Sequence, residues 1–510
     1  MTTPATLSWF ARHEMTLAWR DWTQMMAGGK SARERAVTIG LLIFVVLLHW
    51  LAYAIVKPLV TDGVELSTHT LVYVTATVLL VFSMMLSQAI EQVTRAFYAR
   101  ADLDLILSSP APSGHLFAVR IGSVAVTGFL MTSLLAAPFI NMAVALDGAK
   151  WFSAYGVLAA MSMLATGLAI LGALALFRAV GAKRTRFIAQ IIAAVVGAAL
   201  LIGLQVVAVL TYGNLSRIEV LRSEMVLSHA PVIDSLVWLP AKAVLGDGTV
   251  MAFLLAAAAA ALTLIISATS GRFSSQAIAT NSVSGDVIEN AGRNRTFKRR
   301  STVKVLRAKE WMLLKRDPWL ASQTLMQILY LLPPALLLWR DMGADAKLHV
   351  ILAPVLVMAF GQLSGGLSWL AISGEDAPDL VATAPVPQRA LIRAKIESVL
   401  IVIGAAAAPF LLALAFVSPW GAAVTALGIV LASAAGISIQ MWYRVSANRS
   451  QFRRRQTASK AATFAEAFSS IFWAGATGFA AAQSWFALAF AFLALLTLAI
   501  ARFIAPPAAR

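Results

Sequence analysis

The chain contains no cysteine. That excludes a disulfide framework and any metal or redox site built on thiolates. Its six histidines, His13, His49, His69, His115, His229 and His349, are scattered at spacings that match no metal-ligand set. Charge is scarce: Asp, Glu, Lys and Arg make up 13% of the residues, about half the share found in soluble domains. Acidic residues are the scarcer sign, with 24 Asp and Glu against 41 Lys and Arg, which leaves a net charge of +17. A cleavable signal is not expected, because the first long apolar run begins near Val37, behind a polar and charged lead. What fills the space is apolar. Hydrophobic residues make up 59% of the 510, and the mean hydropathy is +0.78. This composition predicts an all-α polytopic membrane protein. In a soluble chain the positive balance would point to nucleic acid; here topology accounts for it, and no nucleic-acid partner is expected.

A bilayer core needs about 20 apolar residues per helix. Twelve runs meet that length: roughly 36–57, 69–92, 119–145, 152–178, 187–212 and 249–269, then 318–339, 348–372, 394–417, 420–443, 462–482 and 484–504. None alternates with period two, so helices rather than barrel strands are expected. With the N-terminus inside, the outer loops hold only Lys57, Lys150, Arg217, Arg222, Lys242, Arg340 and Lys347. The remaining Lys and Arg fall on the cytoplasmic side, so the positive-inside rule puts both termini in the cytoplasm.

Two polar stretches are copies of one another. Residues 104–124 and 379–399 align without a gap and share Asp104/Asp379, Leu105/Leu380, Pro110/Pro385, Pro112/Pro387, Leu116/Leu391, Ile121/Ile396, Ser123/Ser398 and Val124/Val399. Arg120 against Lys395 keeps the charge. A second repeat precedes the first and seventh runs: Glu14, Arg20 and Asp21 recur at identical spacing as Glu310, Arg316 and Asp317. In the first copy Met15, Trp19, Trp22 and Met26 fall on one helical face beside basic residues, the pattern of a helix lying in the headgroup plane. These repeats divide the chain into a six-span half over 1–269, a Ser/Asn/Gly-rich basic connector over 270–303, and a second six-span half over 304–510. Six spans is an even number, so the halves would be parallel. Each Pro-x-Pro fixes φ twice and disfavours helix just before it. The expected shape is helix, stiff break, then a new helix running into the next span. The halves differ between their fifth and sixth spans. Segment 212–249 carries apolar residues at near-helical spacing and is expected to form a surface or re-entrant helix pair, whereas its counterpart is only 481–484.

Other motifs lead nowhere. Gly28-Gly29-Lys30-Ser31 resembles the end of a phosphate-binding loop, but Gln24 stands where that motif needs glycine and no strand precedes it. His13-Glu14 would begin a zinc-protease motif, but Leu17 stands where the second histidine belongs. No nucleophile-base-acid set appears, so no catalysis by this chain is expected. Polar residues at membrane depth are Asn141, Gln190, Gln205, Gln362 and Gln440. Gln190 and Gln205 fall nearly on one helical face, and with Gln362 they are candidates for a polar pathway; hydrogen bonding between helices is the competing use. Gly361-x-x-x-Gly365 is expected to allow close helix packing. Glu91 and Glu397 sit near inner span ends. The scarcity of buried ionisable residues argues against proton or sodium coupling.

The helix with Glu14, Arg20 and Asp21 and its copy, the Asp-Leu-x4-Pro-x-Pro-x3-Leu segment after the second span, and the long segment between the fifth and sixth spans together resemble the permease subunits of the ABC exporter superfamily. The likeness is to large bacterial permeases in which two six-span units are fused, and it covers essentially the whole chain. It implies that Asp104, Leu105, Pro110, Pro112, Leu116 and Arg120, and Asp379, Leu380, Pro385, Pro387, Leu391 and Lys395, belong to coupling segments. Each would dock one copy of a separate soluble ATPase, which would hold the ATP and magnesium that this chain has no site for. The implied location is the inner membrane, and the implied mechanism is alternating access. The competing expectation is an ATP-independent secondary transporter, or a membrane scaffold that recruits soluble partners through its basic loops.

Overall fold

A computed structural model describes residues 12–13, 16, 31–61, 65–98, 113–213, 216–282, 301–316, 325, 329–337, 348–373, 381, 383–443 and 460–505. Among these residues there is no strand, and nine helices are long and apolar enough to cross a membrane. The chain is an all-α, multi-pass membrane protein. Stretches this apolar become helices because lipid offers no partner for a backbone N–H or C=O, and a helix satisfies both internally.

The chain divides into two compact units, Met1–Leu201 with Arg217–Gly292, and Ile202–Ser216 with Arg293–Arg510. In the first, α1 spans Ser31–Thr61, α2 Thr68–Tyr98, α3 Ser113–Asp147 and α4 Ser153–Tyr212. α4 is broken at Gly181, whose φ of 72° is a left-handed value that glycine adopts without a Cβ clash. Two candidate spans, Ala149–Gly181 and Phe187–Tyr212, result. The core joins Met85 and Val93 of α2, Phe117 and Ile121 of α3, Val157 and Ile170 of α4, and Leu262 of α8, Gly248–Ser282. Hydrogen bonds cross between helices. Ser162 Oγ donates to Ala125 O (2.6 Å), and Ser87 Oγ donates to Ala193 O (2.7 Å). Asn141 of α3 accepts from Tyr155 Oη of α4 (2.9 Å) and its amide lies 3.4 Å from His49 Nε2 of α1. This polar residue is used for cross-linking helices.

The long segment before α8 differs from the expected helix pair. It is a chain of short turns: α5 Arg217–Arg222, α6 Glu224–Ser228, a 3-10 turn Leu236–Trp238, and α7 Leu239–Val244. Ser223 and Ser235 each turn a hydroxyl onto a following amide and start a new element. Pro231 and Pro240 lack the N–H that a continuous helix would need. The segment is anchored by Trp238, 4% exposed, among Leu71, Val72 and Ala241. Its indole donates to the carbonyls of Pro231 and Val232. Asp247 then opens α8. Hydrogen bonds from the Thr249 hydroxyl (2.6 Å) and the Val250 amide (3.1 Å) hold its carboxyl below the usual range.

The second unit contains α9 Thr302–Arg316, α10 Leu348–Ser373, α11 Gln388–Val417, α12 Pro419–Trp442, α13 Lys460–Ala481 and α14 Phe486–Ile504. Its core packs Leu356, Val357 and Phe360 of α10 with Val399 and Ile403 of α11, Ile429 and Ala432 of α12, Trp473 of α13 and Ala494 of α14. Tail residue Val209 of α4 belongs to this unit and packs with Leu337, Leu352, Leu414 and Ala422. α10, α12 and α13 meet through small residues. A Cβ added at Gly361 would lie 3.1 Å from Ala432 Cβ and 3.2 Å from Ser470 Cβ, and one at Gly436 would lie 3.3 Å from Gly361 O. Gly361 and Gly365 thus allow the close packing their spacing predicts. α13 has 22 residues, about 33 Å at 1.5 Å per residue, but Glu466 and its Ser and Thr residues keep it outside the nine most apolar helices.

Gly361→Leu is expected to lower the thermal midpoint and the monodisperse yield in detergent, since overpacking costs roughly 1–3 kcal/mol. Gly366→Ala, where an added Cβ meets nothing within 4 Å, should leave both unchanged. Equal losses in fluorescence-detected size exclusion would contradict the close-packing account.

Candidate functional site

The repeated acidic residue of the second copy, Glu310, is not on the exposed side of its helix. It is 1% exposed, one turn from buried Leu306, while Val303, Val305, Trp311 and Met312 of α9 are exposed. A buried carboxylate must be paired to offset its lost hydration. The partner is the repeated basic residue, Lys395, two turns into α11. Its Nζ lies 3.2 Å from both Glu310 oxygens. The same ammonium donates to the carbonyl of Ala371, in the last turn of α10. Carbonyls at a helix C-terminus have no intrahelical donor and carry partial negative charge. Lys395 therefore spends its donors on a carboxylate of α9 and a helix end of α10, and ties both to α11. Lys309 adds a third contact, 3.5 Å from Glu310.

A second, more exposed pair lies three residues along α9. Glu397 accepts from Arg307 (2.7 Å) and from Arg393 (2.8 Å). The guanidinium of Arg307 is held further into its charged range by that carboxylate. Beside this pair, Arg389, Ile392, Arg393, Ile396 and Glu397 line an open hollow of about 280 Å³.

The Pro-x-Pro element sits directly upstream. Residues 384–386 form a bend, with the Val386 amide bonded to Ala384 O (2.7 Å). Pro387, at φ −59° and ψ 131°, is the last residue before α11. Its carbonyl accepts from the amides of Ala390 (2.9 Å) and Leu391 (3.4 Å). Pro385 and Pro387 are exposed and Leu391 is half-buried. In the first copy α3 begins at Ser113, directly after Pro112, as α11 begins at Gln388 directly after Pro387. Arg120, the counterpart of Lys395, is 4% exposed. The repeated serines both bond back into their own helix, Ser123 to Arg120 O (2.8 Å) and Ser398 to Ala394 O (2.7 Å). α3 has 35 residues and α11 has 30, about 52 and 45 Å long, against a hydrocarbon core of about 30 Å. Each overruns the bilayer by several turns.

Glu14, Arg20, Asp21, Asp104, Leu105, Pro110, Pro112, Asp317, Asp379 and Leu380 lie outside the described residues, and the side chains of Leu116 and Arg316 are not described. Gln190 is buried in the first unit. Gln205 and Gln362 belong to the second, half-buried and exposed respectively. Gln440 donates to Glu466 Oε1 of α13 (2.6 Å).

Glu466 was missed from sequence. A Cβ added at Gly365 would lie 2.7 Å from the Glu466 carboxyl carbon, so the glycine makes room for it. A lone Glu in an Ala/Phe/Ser-rich run is the signal that marks it in the sequence. Among the described residues no three His, Asp or Glu converge as a metal site.

No family model, curated protein or solved structure matches the chain.

Lys395→Ala is expected to destabilise the second unit by up to about 3–5 kcal/mol, because it removes the nearer partner of the buried Glu310 charge and leaves only Lys309, 3.5 Å away. Arg393→Ala, which removes an exposed pair, should be far milder. Urea or thermal melts in detergent compare the two. Equal effects would mean that the buried pair is not the tie.

Proposed function

We propose that this chain is the membrane-spanning permease subunit of an ATP-driven, ABC-type exporter. Twelve spans would form two parallel six-span halves, with both termini cytoplasmic and the protein in the inner membrane. Two copies of a separate soluble ATPase would dock on the two Pro-x-Pro segments and supply ATP hydrolysis.

The observation that carries this reading is the clamp at Lys395. A lever must transmit force, and a Pro-x-Pro turn joined to a free helix would not. Here the helix launched from Pro387 is tied one turn beyond Leu391 to a second helix and to the end of α10. A push on the turn is therefore delivered to three elements together. The hollow beside it, with Arg389 and Arg393 at its edge and Ile392 and Ile396 in its wall, suits an acidic, partly apolar surface of a docking partner. The exposed Trp311 and Met312 of α9 suit a helix lying in the membrane interface. The first copy carries Glu14 and Arg120 at the positions of Glu310 and Lys395, which supports two equivalent levers. Substrate would pass between the halves as they alternate.

The experiment is co-purification of the full chain with the ATPase, with ATP turnover and transport measured in proteoliposomes. Pro110→Ala/Pro387→Ala is expected to keep the ATPase bound while cutting transport per ATP by about tenfold, through loss of the fixed turn. Unchanged coupling would remove the lever from the mechanism, and failure of any ATPase to bind would remove the exporter reading.

One observation favours the ATP-independent alternative. Glu466 is an ionisable side chain held between helices by Gln440, with no cation paired to it among the described residues, and such groups mark ion pathways in carriers. If the chain alone is a proton-coupled carrier, liposomes containing it and a pH-sensitive dye should show proton flux that Glu466→Gln abolishes. Under the exporter reading, neither protein gives flux without the ATPase.

A further inference from the structure

The first unit contains an apolar slot of about 280 Å³ between its core helices, separate from the residues of the proposed lever. It follows α2 from Tyr73 through Val78 to Val81, walled by Ile140 of α3 and by Val157 and Met161 of α4. Eight residues of α2 separate its ends, about 12 Å along the axis. The candidate span on α2 is Thr68–Thr94, so Tyr73 lies near one end of the span and Val81 at its middle. The slot therefore extends from interfacial depth to the bilayer midplane, the depth of one leaflet.

Its two ends differ chemically. The deep end is lined by Val81 and Met161. At the shallow end the Tyr73 hydroxyl accepts a hydrogen bond from Arg222 Nε of α5 (2.8 Å). Arg222 is exposed and forms no ion pair among the described residues. A guanidinium has five N–H donors, and the bond to Tyr73 uses one. Of the other two cations on this segment, Lys242 is paired with Asp234 (3.6 Å) and Arg217 opens α5, five residues before Arg222. The mouth thus presents fixed positive charge and unused donors at headgroup depth, above an apolar slot.

We infer that this slot binds one acyl chain of an anionic membrane lipid, with the headgroup held by Arg222 at the Tyr73 end. The apolar walls select a hydrocarbon chain, and Arg222 selects a negative headgroup over a zwitterionic one. A phosphate suits it best, because two guanidinium N–H groups match two phosphate oxygens. The site stands whether or not the chain works with an ATPase.

The test uses the purified full chain in detergent, without ATPase. The probes are lysophosphatidate and lysophosphatidylcholine, each carrying a photoactivatable group at the chain end. Lysophosphatidate is expected to label α2, α3 or α4 residues around Val81 and Met161. Val78→Trp, which fills the slot, should cut that labelling about tenfold. Arg222→Gln, a change at an exposed position that should not disturb folding, should weaken the anionic probe by about tenfold, one charge-assisted contact's worth, and leave the zwitterionic probe unchanged. Labelling spread evenly over the apolar helix surfaces would overturn the site. Equal binding of both probes to Arg222→Gln and to the unaltered chain would overturn the headgroup assignment.

Discussion

Helices in lipid gain nothing from hiding apolar surface from one another, because the tails around them are as apolar as leucine. Everything in this fold follows from that constraint. Association must come from close approach and from hydrogen bonds. Both devices recur where helices touch: Gly361, Gly365 and Gly436 bring α10, α12 and α13 together, while Asn141, Ser87 and Ser162 bond across helices of the first unit. The large hydrophobic side chains that would form the core of a soluble protein are in many places turned outward, as Leu134, Leu135, Phe416 and Phe503 are. Polar atoms are correspondingly few, and each buried one has consequences.

The pairing of Glu310 with Lys395 gives a physical reason for a pattern that sequence could only record. The alignment showed that an acidic residue before one run and a basic residue after a Pro-x-Pro both recur. It gave no reason to connect them, because they lie 85 residues apart. Pairing two such residues in a low-dielectric setting is among the few ways that a short helix can be held against a membrane helix.

Much of the architecture was legible because it is written in long runs. A span of 20 apolar residues needs no context to be recognised, and a Pro-x-Pro fixes where the following helix starts, at Ser113 and Gln388 alike. Segment 212–249 was misread as a helix pair because apolar spacing alone cannot detect a cap. Ser223 and Ser235 each act through one hydrogen bond to a nearby amide, and such local competition interrupts a periodic pattern without altering it. The candidate site was half legible. Residue types and repeats marked the segment, but the partner of Lys395, the helix end at Ala371 and the position of Glu466 against Gly365 depend on which helices become neighbours.

The tail of α4 has a consequence for how the protein is made. Ile202–Ser216 belongs to the second unit, where Val209 packs with Leu337, Leu352, Leu414 and Ala422. Val209 is synthesised about 210 residues before Ala422, which is roughly 10–40 s at ordinary translation rates. For that interval the helix end waits in the bilayer without its final neighbours. Assembly of the second unit is therefore gated by a piece delivered early, and a ribosome that stalls after the first unit leaves behind a fragment with an unfinished edge. Quality control in the membrane would have that edge to recognise.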